Sequence, residues 1–104
     1  MRMSNNYLME RVILIVENSE VYRNISKQML REIGKFQVYA VSTGQEALKL
    51  CKKEQYDAIL CDFDLGKGKN GLQLLEELRA DDLIKASTIF VMITASVDKN
   101  IVLS

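Results

Sequence analysis

The chain has 104 residues, enough for one domain, and 48% of them are hydrophobic, so a packed core is expected and disorder is not. Fourteen basic residues balance fourteen acidic ones, which argues against nucleic acid as a direct partner, and the absence of histidine excludes imidazole catalysis and zinc sites for this chain alone. No run of 18 apolar residues occurs and the N-terminus lacks the apolar stretch of a signal peptide, so no membrane span and a cytoplasmic location are expected.

Residues 1–10 read as a polar tail and residues 11–104 as the domain. Val12-Ile13-Leu14-Ile15-Val16 is a continuous, β-branched run that suits a strand buried on both faces of a parallel sheet. Ser19 can cap a helix in which Val21, Ile25, Met29, Leu30 and Ile33 recur at helical spacing until Gly34 stops it. Phe36 to Val41 is a second, more polar strand. Thr43-Gly44-Gln45-Glu46 has the form of a capping box opening a helix whose buried face is Ala47, Leu48 and Cys51.

Asp57 to Cys61 is a third strand that runs directly into Asp62. A glycine- and lysine-rich loop, Gly66 to Gly71, leads to a helix from Leu72 to Arg79, capped by Asn70, with Leu72, Leu75 and Leu78 turned inward. Thr88 to Ile93 is the fourth strand, ending in Thr94, and Ser96 to Leu103 opens a further helix. Cys51 and Cys61 lack metal-ligand spacing and read as reduced core residues.

Alternation of strand and helix at short spacing implies βαβ units, a parallel sheet and right-handed crossovers. Ligands of such sheets sit beyond the carboxyl ends of the strands, at the switch point of strand order. Glu17 and Asn18 follow strand one, Asp62, Phe63 and Asp64 follow strand three, and Thr94 and Ala95 follow strand four. Converging there, three carboxylates, an amide and a hydroxyl would surround a small hole. Oxygen ligands without histidine or thiolate suit magnesium, or manganese in its place. A carboxylate beside such a cation suits phosphoryl transfer, with aspartate as covalent acceptor.

Val12 to Asn18 (VILIVEN), Gly44 to Leu48 (GQEAL), Tyr56 to Leu65 (YDAILCDFDL), Gly71 with its helix, and Val91 to Ala95 (VMITA) together resemble, in order and spacing, the receiver domain of bacterial two-component response regulators. The resemblance runs from about Glu10 to the end of the chain. It implies a flavodoxin-like, doubly wound sheet of order 2-1-3-4, with the fifth strand, the lysine after it and the fifth helix missing, so that Lys99 is no substitute. It implies that Asp62 takes a phosphoryl group from a sensor histidine kinase or phosphotransfer protein to switch an output region, as a signalling phosphoacceptor rather than an enzyme. Glu17 and Asn18 match the acidic pair that helps hold Mg2+, and Asp64 the position whose backbone carbonyl ligates the metal. Thr94 matches the hydroxyl that swings toward the phosphoryl group, and Ala95 the small residue leaving room for it. Asp57, at the far end of the sheet, reads as structural.

Departures from the family pattern keep other readings open. Asn18 stands where the family usually has an acid, and no lysine follows a fifth strand, which together suit a degenerate receiver acting only as an interaction module. Gly66 to Gly71 and the Leu-Leu-Glu-Glu-Leu-Arg after it are similar to receivers joined to tetratricopeptide output regions. A bare flank on strand four is an edge at which a second chain can pair, giving a dimer. Asp62-Phe63-Asp64 and Thr94 also resemble the first two motifs of haloacid-dehalogenase-type phosphatases, which would leave Glu17-Asn18 without a role.

Overall fold

The computed structural model describes residues 10–94. The elements in chain order are β1 (Arg11–Val16), α1 (Glu20–Ile33), β2 (Phe36–Val41), α2 (Gly44–Lys53), β3 (Ala58–Asp62), α3 (Gly71–Ala80) and β4 (Ile89–Ile93). The strands form one parallel sheet of order β2-β1-β3-β4. The expected order 2-1-3-4 is therefore the observed one. The expected helix over Ser96 to Leu103, with Ala95 and Lys99, lies outside the described residues.

Parallel register places like faces in rows. Ala40, Ile15, Leu60 and Val91 stand side by side across the sheet, as do Val38, Ile13, Ala58 and Ile89. Leu14, Val16, Ile59 and Cys61 point to the opposite face, because successive strand residues alternate. There they join Ala47, Leu48 and Cys51 of α2, Leu74 and Leu78 of α3, Tyr56 and Leu65 in one buried core. Full burial of a large apolar side chain contributes about 1.5–3 kcal/mol, so most of the stabilisation lies on this α2–α3 face.

The other face is thinly covered. α1 packs chiefly on β2 and β1, and it contains no buried residue. The apolar positions expected to anchor it, Val21, Ile25, Met29 and Ile33, are exposed, and Leu30 is only half-buried. Ile89, Val91 and Ile93 of β4 are 62%, 41% and 44% exposed beside it. Helical spacing was a correct sign of the helix but not of a partner for its apolar stripe, since none covers it among the described residues.

Two further expectations are corrected. In α3 the inward leucines are Leu74 and Leu78, while Leu72 is 46% exposed and Leu75 half-buried. The buried face is that of Gly71, which Leu74 and Leu78 share three and seven residues on, so of the expected set only Leu78 lies on it. At α2 the box is open on one side. Thr43 Oγ1 accepts the Glu46 N–H at 3.1 Å, but the Glu46 carboxylate accepts from the amide and hydroxyl of Ser42, both at 3.0 Å. The reciprocal capping box is at α3, where Asn70 Oδ1 accepts the Gln73 N–H and Gln73 Oε1 accepts the Asn70 N–H.

Candidate functional site

The polar residues beyond the strand ends meet at the carboxyl edge of the sheet. β1 is anchored through Val16, and the next N–H, that of Glu17, still donates to the Val41 carbonyl of β2 at 3.0 Å. The chain then turns within Glu17-Asn18-Ser19. The Glu17 carboxylate accepts the Ser19 N–H at 2.9 Å, and Ser19 Oγ accepts the Tyr22 N–H at 3.3 Å as the cap of α1. β3 ends on Asp62, and Phe63 still donates to the Ile93 carbonyl of β4 at 2.8 Å.

The loop after Asp62 is held by its own side chains. Asp62 Oδ1 accepts the Asp64 N–H at 3.3 Å, and Asp64 Oδ1 accepts the Gly66 N–H at 3.0 Å. Gly66 sits at φ +78°, where a side chain would be strained, beside the Asn18 amide. Asn18 Nδ2 donates to the Leu65 carbonyl at 3.3 Å and so ties the two loops together. Glu17, Asn18, Ser19, Asp62, Asp64, Gly66 and Ile93, with Tyr22 and Ser26 of α1, line one cavity of about 450 Å³. Thr94 follows directly on Ile93 and is half-buried. Asp57, by contrast, is at the opposite end of the sheet, accepting the Val12 N–H at 2.7 Å and facing Arg11 at 3.7 Å.

The electrostatics are those of crowded anions. Burial, and then the charge of Asp62 facing it, raise the Glu17 carboxyl above its ordinary value, against the Ser19 N–H and the nearby Arg23. The Cys61 thiol beneath is pushed up to about 12, by burial first and then by Asp62 and Glu17, so it is neither ligand nor nucleophile at neutral pH. The expected ring of three carboxylates is not formed. Asp64 lines the same cavity with its Oδ1 accepting the Gly66 N–H, but among the described residues no group of three or more Asp, Glu, Cys or His is placed to hold a metal. Two facing carboxylates remain, Glu17 and Asp62. That set fits Mg2+, which typically takes one or two carboxylates and fills its other positions with water and phosphate oxygens.

Lys69, one of the two loop lysines, is paired with Glu77 of α3 at 2.8 Å, and its stem lies over Gly44. Sequence reasoning missed Arg23 altogether. Its Nη1 donates to the carbonyls of Glu17 at 2.8 Å and Asn18 at 3.0 Å. The available signal was a cation in the first turn of a helix, where the dipole disfavours it.

The response regulator receiver domain family matches residues 13–104. The chain belongs to this family. Over 83 residues it is 35% identical to the chemotaxis protein CheY-3 of Vibrio cholerae, covering 80% of this chain and 62% of that protein. It therefore spans less than two thirds of that relative's length. A CheY-like receiver domain from Methylobacillus flagellatus superposes with a TM-score of 0.75 at 30% identity, covering 85% of this chain and 72% of that one. The response regulator TrrA of Thermotoga maritima, solved in complex with Mg2+–BeF, superposes at 0.72 with 27% identity, covering 84% and 71%.

Receiver domains are signalling phosphoacceptors of two-component systems, working with histidine kinases or phosphotransfer proteins and with output domains, and they use Mg2+ for phosphorylation. The flavodoxin-like order of the sheet agrees with that membership. Among the described residues no helix is long and apolar enough to cross a membrane.

Proposed function

We propose that Asp62 is the phosphoacceptor of this receiver domain and that the receiver unit runs from residue 11 to 104 after a ten-residue tail. The observation that carries the reading is the pair Glu17 and Asp62, two carboxylates brought face to face at the carboxyl edge of a 2-1-3-4 sheet. A cation between two such carboxylates relieves their repulsion, and the donors around it are hard oxygens. Glu17 and Asp62, with the Asn18 amide oxygen and the Asp64 backbone carbonyl, are the groups that would hold Mg2+. When bound, the cation neutralises charge on the transferring phosphoryl group.

An Asp62 carboxylate oxygen forms the new P–O bond as the P–N bond of a phosphohistidine breaks and the imidazole leaves with the electron pair. Thr94 and Ala95 are the residues that answer the modified Asp62. The donor is a sensor histidine kinase or phosphotransfer protein in the cytoplasm, and the recipient is an output region, of tetratricopeptide type on the likeness of the Gly66–Arg79 segment. The protein acts as a phosphoacceptor and not as an enzyme of turnover. Acetyl phosphate with Mg2+ is expected to label Asp62 once per chain, and Asp62→Asn to abolish the label. Labelling that persists in the variant, or continuous turnover of a phosphate monoester, would overturn the reading.

A specific observation favours a second reading, an interaction module that is never phosphorylated. Asn18 spends its amide on the Leu65 carbonyl and brings no charge to the site. Beryllofluoride separates the two: saturable binding with Mg2+ supports the phosphoacceptor, and its absence supports the module.

A further inference from the structure

Beside the cleft is a cationic contact that the phosphoacceptor reading does not use. Arg23 stands one turn into α1 and reaches back, so that a single nitrogen, Nη1, bridges two successive carbonyl oxygens, those of Glu17 and Asn18. The Arg23 amide also donates to the Ser19 carbonyl at 2.8 Å. All three residues of the β1–α1 loop are thus bonded to one arginine. Two adjacent carbonyl dipoles pointed at one spot repel each other, and a guanidinium between them reverses that repulsion with charge-assisted bonds. The other bonds of the loop use the Glu17 N–H, the Ser19 N–H and the side chains of Asn18 and Ser19, whereas Arg23 takes the Glu17 and Asn18 carbonyls. α1 has no buried residue, and the Glu17 and Asn18 side chains project into an open cleft.

The restraint passes onward. Asn18, with its backbone held by Arg23, donates its side-chain amide to Leu65 in the loop that follows Asp62. We infer that Arg23 is a positioning residue for the acceptor site, clamping the β1–α1 loop so that Glu17 faces Asp62 and Asn18 latches the β3–α3 loop. This rests on the acceptor reading of Asp62 for its functional consequence, though the clamp itself does not need it.

A positioning role and a purely electrostatic role make opposite predictions. A positive charge near a cation site repels Mg2+, so if charge were all that mattered, removing it would tighten binding. If position matters, removing the donors loosens the loop and weakens binding, since displacement of site groups by about 1 Å can cost on the order of 10²-fold. Arg23→Met keeps a long stem and good helix propensity while removing donors and charge, whereas Arg23→Lys keeps a donor and the charge.

The test uses the full chain and two readouts. In metal-free protein, amide exchange at residues 17–19 is expected to accelerate about tenfold in Arg23→Met, with β3 unchanged, and to return toward wild type in Arg23→Lys. Unchanged exchange would overturn the clamp. By calorimetry with Mg2+ alone, the dissociation constant is expected to rise about tenfold in Arg23→Met and less than threefold in Arg23→Lys, an ordering that a charge effect cannot produce. Equal or tighter Mg2+ binding in Arg23→Met would overturn the positioning role. Absence of saturable Mg2+ binding in wild type, with the exchange result as expected, would sink the acceptor reading and leave the clamp standing.

Discussion

A Cβ placed on Gly71 would stand 2.7 Å from the carbonyl oxygen of Asp62 and 2.6 Å from the sulfur of Met92. The start of α3 is thus pressed against the end of β3, where the Gly71 N–H donates to the Phe63 carbonyl at 2.8 Å. Only the absence of a side chain permits this approach. Met92 can yield, but the backbone at Asp62 cannot yield without moving the Asp62 side chain at the cleft. Gly71→Ala is expected to cost about 1–3 kcal/mol by overpacking, despite the gain in helix propensity. Thermal unfolding followed by circular dichroism checks it, and an unchanged midpoint would show that the contact is relieved elsewhere.

Asn18→Asp exchanges a latch for a charge. The Leu65 carbonyl loses its donor, which is expected to lower metal-free stability by about 1 kcal/mol. A third carboxylate then joins Glu17 and Asp62, and Mg2+ affinity is expected to rise about tenfold, or about 1.4 kcal/mol. Calorimetric titration in parallel with unfolding reads both. A variant more stable without metal and no better at binding it would contradict the assignment of Asn18 as a latch.

The pH dependence of metal-free stability has two opposed contributions. Hydrogen bonds from the amide and then the hydroxyl of Ser42 lower the Glu46 carboxyl below its ordinary 4.5. Its contribution is therefore present above pH 4.5 and lost as the pH falls through the folded-state value. Burial and Asp62 raise Glu17, so its contribution is present below 4.5 and lost as the pH rises through its folded-state value. Glu46→Gln should flatten the acid limb of a plot of unfolding midpoint against pH. Glu17→Gln should raise the midpoint near neutrality in chelator, and the reverse result would remove the crowding argument.

β4 ends the sheet among the described residues, with Ile89, Val91 and Ile93 exposed on the face that α1 leaves open. An edge strand with an apolar face invites pairing with another chain. Self-association of the 104-residue chain is expected in sedimentation velocity at high concentration, and Val91→Lys is expected to shift it toward monomer. A wild-type chain that sediments as a monomer throughout would refute the edge as a contact.

Much of the fold was legible because its signals were redundant. The run Val12 to Val16 is apolar at every position, which only a strand covered on both sides requires, and Ile13 to Val16 are buried. The strand-end rule brought Glu17, Asn18, Asp62 and Asp64 to one cavity without any side-chain geometry. What failed were choices between equivalent faces. Leu72, Leu74, Leu75 and Leu78 permit two inward phases, and the contact of Gly71 with Asp62 and Phe63 selects one. The reach of Glu46 to Ser42 was hidden because Ser42 and Thr43 each offer an amide and a hydroxyl, and the sequence does not choose between them. Arg23 was hidden because its partners are carbonyls, which carry no residue signature.

The unequal covering of the sheet has a consequence for how the site comes apart. Asp62 ends β3, whose Ile59 and Cys61 are buried in the α2–α3 core, while Glu17 and Asn18 lie between β1 and a helix with no buried residue. Partial openings that release α1 are expected to cost less than global unfolding, because they uncover Ile13 and Ile15 but leave the α2–α3 core closed. The cleft is therefore built across a seam between a hard half and a soft half of the molecule. The α1 wall is the one expected to open first, with Asp62 held in the core-backed half.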